Sequence, residues 1–220
     1  MTREQNTQKN RNTGRDTKRR ILNAAATLFG ERGYHNCSVD EIVAASTTSK
    51  GSFYFHFSSK ESLFASLLEH FSERIWEAVE QAVNMERGAA NRIAAAVQAV
   101  LTVAEADPQL AKLALIQAPA LGPEFLQKQL AIKARFSEAI AAYLLELKEE
   151  GRLPPGDLHI MATALTGTVY EILLRSVATD WQPKPQEMDD LIRYNLRALG
   201  LDYSPGQSRS EEPEGGKYPG

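Results

Sequence analysis

Within residues 50–56, Lys50, Ser52, Tyr54 and His56 offer an ammonium, a hydroxyl, a phenol and an imidazole, flanked by Ser49 and Lys60. These groups suit phosphate oxygens and base edges. Lysine can meet guanine O6 or N7, and hydroxyls serve either base or phosphate. Phe53 and Phe57 are four residues apart and mark the inward face of a helix, so the polar groups lie around the rest of its surface. Gly51 lowers helix propensity but removes a side chain where the backbone could approach a groove closely.

The neighbouring residues supply the elements that must hold this surface. Ser38 precedes Val39, Asp40 and Glu41, which predicts a capped helix start with a capping box on Glu41. Val39, Ile42 and Val43 give that short helix an inward face, ending near Ala45. Ser46, Thr47, Thr48 and Ser49 form a hydroxyl cluster that ends one helix and can cap the next. In such a unit the second helix lies in the major groove with its N-terminal residues at base edges, here Ser49, Lys50, Gly51 and Ser52. Before it, Ile21, Leu22, Ala25, Leu28 and Phe29 form the stripe of a helix over about 16–32, stopped at Gly33. After it, Ser59 caps a helix from Lys60 into the eighties, with Leu63, Leu67, Phe71 and Ile75 inward.

Residues 15–64 resemble the N-terminal domain of the TetR family of one-component bacterial transcription regulators. The resemblance rests on RRILNAAATLFGERGYHNCSVDEIV followed by SKGSFYFHFSSKESLF. It implies that Lys50, Gly51, Ser52 and Tyr54 sit at or near DNA. It also implies that Ser38, Tyr54, His56 and Lys60 engage phosphates, which with Thr48 and Ser49 of the turn completes the DNA-binding set. The turn departs from the family pattern: Ser46, Thr47 and Thr48 stand where alanine, glycine and a small aliphatic residue are usual. If that turn needs a positive φ, threonine fits poorly.

Charge divides the chain in the same way. Residues 1–20 carry seven Lys or Arg against two acids, while the other 200 carry 18 against 26. A basic flexible arm over 1–15 beside an acidic body could track phosphates or enter a minor groove. The single cysteine, Cys37, excludes an intrachain disulfide, suits a reducing compartment and is expected to be buried. No apolar stretch of about 18 residues is evident and the polar N-terminus lacks a secretory h-region, so a cytoplasmic protein off the membrane is expected. The sequence holds no HExxH, CxxC, phosphate-binding glycine loop or nucleophile elbow, so it predicts no enzyme, metal or cofactor.

Helical periodicity continues almost throughout, which makes the fold all-α. A helix-turn-helix domain over 16–62 is joined by the long fourth helix to an effector-binding and dimerisation bundle over 63–201. A tail over 202–220, rich in Pro, Gly, Ser and Glu, reads as disordered. Body helices are expected at about 89–106, 108–117, 123–150, 155–179 and 185–199, four of them opened by proline. The stretch MATALTGTVYEILLRSVA mixes small and large apolar residues around most of a helix, which suggests a two-fold partner. Ala162, Thr166, Val169 and Leu173, with Leu191, Tyr194 and Ala198 of the last helix, are the candidate homodimer interface. Leu113, Gln117, Phe136, Ile140, Tyr143 and Tyr170 are the candidate effector contacts.

The reading that follows is a homodimeric repressor on a double-stranded operator, released by a small apolar or amphipathic effector. The fourth helix acts as the lever between body and head. An alternative on the same scaffold is a nucleoid-associated, DNA-organising factor without an effector; a more remote one is a helical lipid-binding or enzymatic bundle.

Overall fold

The computed structural model describes residues 3–179 and 181–201, with side chains from residue 14 onward. Among these residues every regular element is helical. They are α1 (Arg3–Arg32), α2 (Val39–Ala45), α3 (Lys50–His56), α4 (Lys60–Met85), α5 (Ala89–Ala106), α6 (Pro108–Lys112), a π turn (Leu113–Gln117), α7 (Ala118–Ala120), α8 (Pro123–Glu149), α9 (Leu158–Ala178) and α10 (Pro185–Ala198). The 202–220 segment lies outside the described residues. Helix α1 begins well before residue 16, because the expected start was placed where apolar periodicity begins, whereas nothing in the polar stretch upstream forbids helical backbone.

Local chemistry accounts for most of the boundaries. Gly33 takes φ +81 and closes α1. Ser38 and Glu41 form the expected capping box on α2. Ser49 and Ser59 cap α3 and α4 through the amides of Ser52 and Ser62. Pro108, Pro123 and Pro185 open helices as expected, but Pro155 does not: Asp157 caps α9 instead, its carboxylate accepting from the amides of His159 and Ile160. Those two bonds hold the Asp157 carboxyl below its ordinary range. A short charge-stabilised cap outweighs the φ preference of a proline two residues earlier.

The turn between α2 and α3 is strained in the manner the sequence warns of. Thr47 has φ +49, the one non-glycine residue with positive φ among those described. The amides of Thr48 and Thr47 donate to the carbonyls of Val43 and Ala44, a Schellman closure in which glycine is the usual residue. What holds a β-branched residue there is Arg20 of α1. Its Nη2 donates to the carbonyls of Ser46, at 2.7 Å, and Thr47, at 2.6 Å, and to the Thr47 hydroxyl.

The head is a dense aromatic core. Phe29, Phe53 and Phe64 are fully buried, and Phe64 meets Phe29, Tyr34 and Phe125 with ring centroids 5.6, 5.1 and 5.4 Å away. Phe125 belongs to α8, so the body packs directly onto the head. Lys128 and Glu69 add an ion pair of 2.8 Å between α8 and α4. Gln109 of α6 lies against Gly30 of α1 closely enough that a Cβ there would collide with it. Arg74 of α4 pairs with Asp107, the cap of α6. Cys37 is buried as expected, its thiol donating to the Leu28 and Gly33 carbonyls, and burial pushes its pKa up.

In the body α4 and α5 run antiparallel, and α8 and α9 close over them. Helix α9 corrects the expectation about apolar length, since by length and composition alone it could cross a membrane. One side of it, through Ala162, Leu165, Val169 and Leu173, is buried in the protomer.

Candidate nucleic-acid interface

Phe53 and Phe57 anchor α3 to the core, and Lys18 of α1 lies 5.9 Å over the Phe57 ring. This anchoring turns Lys50, Gly51, Tyr54 and Phe55 to solvent. The Lys50 ammonium is 2.8 Å from the Asp40 carboxylate of α2, with both side chains mostly exposed. That hydrogen bond raises the Lys50 pKa and keeps the ammonium charged. An exposed pair of this kind costs little to open, so Lys50 is positioned but not committed.

The hydroxyls serve the backbone first. Ser38 Oγ accepts from the Glu41 amide and donates to its carboxylate, which lowers the Glu41 pKa through the Ser38 backbone and hydroxyl donors. Ser49 and Ser52 hydroxyls lie 2.9 Å apart at the start of α3, and Thr48 Oγ1 is 2.7 Å from Ser46 Oγ. His56 is half-buried. Desolvation first, and Lys18 second, pull its imidazole pKa down, so at neutral pH it offers one N–H rather than a positive charge.

Lys60 is placed differently from the expectation of a phosphate-binding cation. Its Nζ donates to the carbonyls of Tyr34, at 3.0 Å, and Cys37, at 2.9 Å, and sits 4.3 Å over the Tyr34 ring. Two of its three N–H groups therefore tie the α1–α2 connection to the start of α4. The Tyr34 hydroxyl in turn donates to Glu61. Desolvation and that carboxylate hold the phenol protonated far beyond neutral pH.

Sequence reasoning missed two residues. Phe55 is 82% exposed beside Tyr54 at 56%. Its offset of two from both Phe53 and Phe57 already put it opposite the buried face, where a phenyl is unusual unless something apolar meets it. Arg20 was also missed, because its partners are carbonyls brought near only by the fold.

A second feature lies in the body. A cavity of about 370 Å³ runs between α4, α5, α8 and α9, walled mainly by apolar side chains. Of the expected effector contacts, Phe136, Ile140, Tyr143 and Tyr170 line it, while Leu113 and Gln117 do not. The π turn is the reason. Its extra residue per turn changes the helical phase, so Leu113 is fully buried in the core and Ala114 and Leu115 face the cavity. Trp76 of α4 completes the wall, its ring 5.4 Å from Phe136 with the Arg135 guanidinium above it.

The candidate dimer residues divide as well. Ala162, Val169 and Leu173 are buried within the protomer, and Thr166 lines the cavity while donating to the Ala162 carbonyl. These four are removed from the candidate interface, because α9 turns the side that carries them toward its own protomer. Tyr194 is 68% exposed, Ala198 is exposed and Leu191 is partly so; Ile160 on the outer side of α9 joins them at 68%.

A capped three-helix head presenting a polar and aromatic helix, carried on a long fourth helix, defines a helix-turn-helix DNA-binding regulator. The family model "Bacterial regulatory proteins, tetR family" matches residues 21–67. The uncharacterized HTH-type transcriptional regulator YdgC of Bacillus subtilis is 32% identical over 202 residues, covering 86% of this chain and 97% of that protein. The nucleoid occlusion factor SlmA of Photobacterium profundum is 27% identical over 173 residues, 77% of this chain and 88% of its own. The solved Bacillus subtilis regulator FadR in complex with stearoyl-CoA superposes with a TM-score of 0.69 at 22% identity, over 83% of this chain and 98% of that one. This chain belongs to the TetR family of DNA-binding transcriptional regulators.

Proposed function

We propose that the protein is a homodimeric, ligand-responsive repressor that occupies an operator and leaves it when a small apolar or amphipathic molecule fills the body cavity. The observation that carries this reading is the continuity of α4, whose first turns pack the head and whose later turns wall the cavity. A molecule that spreads α4 from α8 tilts the head as one unit. The FadR relative, whose structure holds stearoyl-CoA, supports an effector of this kind.

At the DNA, Lys50 reads a base, Tyr54 and Phe55 supply a phenol and an apolar edge that suits a thymine methyl, and Gly51 lets the backbone approach. Ser49, Ser52 and His56 contribute neutral donors toward phosphates, and Ser38 and Thr48 do so when their hydroxyls turn from Glu41 and Ser46 to the DNA. Lys60 has one N–H left for that role. Leu191, Tyr194 and Ala198, with Ile160, mark the surface on which two copies pair and space their heads along a pseudo-palindromic site.

The test measures anisotropy of labelled DNA from the gene's own promoter while candidate effectors are added. An affinity drop of at least tenfold with one small molecule supports release by ligand. The resemblance to SlmA favours a second reading, a DNA-organising factor on the same scaffold. Tight binding that no small molecule alters would favour that reading instead.

A further inference from the structure

Two cations stand on the cavity wall, Arg92 and Lys133, and they are not equivalent. Arg92 lies toward the α4–α5 hairpin, its Nε donating to the Glu86 carbonyl at 3.2 Å and its guanidinium bonded to the Tyr143 phenol. Glu80 stands on the wall at the same end. Lys133 lies about 15 Å along α8 from Tyr143, ten residues at the helical rise. Its Nζ sits 3.8 Å over the Tyr170 ring, and none of the ion pairs among the described residues includes it.

The groups around Lys133 are already oriented. Gln129 Nε2 donates to the carbonyls of Ala114 and Leu115 and to the Tyr170 oxygen at 3.1 Å. Because Tyr170 Oη accepts from Gln129, its own proton is free to be donated elsewhere. Burial pushes the Tyr170 phenol up, so it remains a donor at neutral pH. A half-buried ammonium and a phenolic O–H thus converge at one end of an apolar channel, next to the π turn. From there to Tyr143 the α8 wall is apolar, through Phe136 and Ile140. The volume of about 370 Å³ has room for a dozen or more water-sized groups, at about 30 Å³ each.

We propose that Lys133 and Tyr170 form a head-group subsite for a carboxylate, and that the effector is a straight-chain fatty carboxylate whose chain runs from Lys133 toward Tyr143. The proposal rests on the effector reading above and gives its ligand a class. The carboxylate accepts a charge-assisted bond from the ammonium and a second from the phenol, while the chain meets only apolar wall. A neutral or cationic head at that end leaves Lys133 unpaired or repelled.

Calorimetric titration tests this with the full-length protein and dodecanoate, dodecanol, dodecyltrimethylammonium and lauroyl-coenzyme A, all below micelle-forming concentrations. Release from promoter DNA is read separately by anisotropy. Dodecanoate is expected to bind at least tenfold tighter than dodecanol and the cationic probe, and to release DNA. K133Q should weaken dodecanoate at least tenfold and leave dodecanol unchanged; Y170F should cost a few-fold in the same direction. If a variant fails to fold, the wild-type ratio of dodecanoate to dodecanol decides.

Equal binding of the acid and the alcohol, an unaffected K133Q, or tighter binding of lauroyl-coenzyme A than of the free acid overturns the carboxylate subsite. In each of those outcomes a chain still enters, so the effector reading stands. Absence of binding by all four probes, with no effect on DNA, sinks the subsite and counts against the effector reading as well.

Discussion

The head and the body are built from similar aromatic residues put to opposite uses. In the head, Phe29, Phe53 and Phe64 are fully buried and packed ring against ring. In the body, Trp76, Phe136, Tyr143 and Tyr170 stand half-buried around a space. The contrast teaches where rigidity is needed: a reading helix must hold its side chains in fixed relation to a duplex, whereas a wall that responds to a ligand must have room to receive it.

Truncating one ring on each side breaks or sharpens this contrast. Phe64→Ala should destabilise by about 3–5 kcal/mol, because Phe64 joins α1, the α1–α2 connection and α8. Phe136→Ala should cost well under half as much, since it enlarges a space that already exists. Chemical denaturation measures both, and equal losses would mean that the cavity wall is packed as tightly as the head.

At the DNA surface, Lys50→Ala should cost about 1–3 kcal/mol on the preferred operator and relax the preference at one base position, read by anisotropy on single-base variants. Lys60→Ala should lower stability by about 1–3 kcal/mol through the carbonyls it leaves behind, with an unchanged salt slope for DNA binding. A slope reduced by about one unit with stability intact would return Lys60 to a phosphate.

Thr47→Gly should raise stability by up to about 1 kcal/mol in thermal unfolding, since it relieves a β-branched residue at φ +49. The smallest effect concerns pH. The folded state lowers the His56 pKa, so between its ordinary value and the lower folded one the unfolded chain binds more protons. Stability is therefore full above about pH 6.5 and declines as pH falls through that window. His56→Gln should flatten the decline, and an unchanged pH profile would mean that the imidazole is not desolvated.

Much of the head could be read from the chain because its determinants are local. The capping box at Ser38 and Glu41, the caps at Ser49 and Ser59, the inward pair Phe53 and Phe57, and the strain at Thr47 depend on residues within a few positions of one another. Phe55 followed from the same spacing and was overlooked. Lys60 and Arg20 could not be placed, because their partners are carbonyls 23 to 27 residues away.

The body was legible only as a set of helices. Its apolar residues face either core or cavity, and periodicity marks both alike. Leu113 and Gln117 were lost to a π turn that shifts phase without a distinctive residue. Ala162, Thr166, Val169 and Leu173 were lost because a helix with apolar residues on most sides does not declare which side its own protomer covers.

The sequence by itself determined that the chain is helical, the caps at Ser38, Ser49 and Ser59 and the polar face of α3, since hydrogen bonds and periodicity over a few residues carry that information. Only the tertiary structure decided that Lys60 turns inward, that α9 buries the side carrying Ala162, Leu165, Val169 and Leu173, and that α4, α5, α8 and α9 leave a channel with Lys133 on its wall. A void is a property of how helices meet, and no single helix encodes the distance to its neighbours.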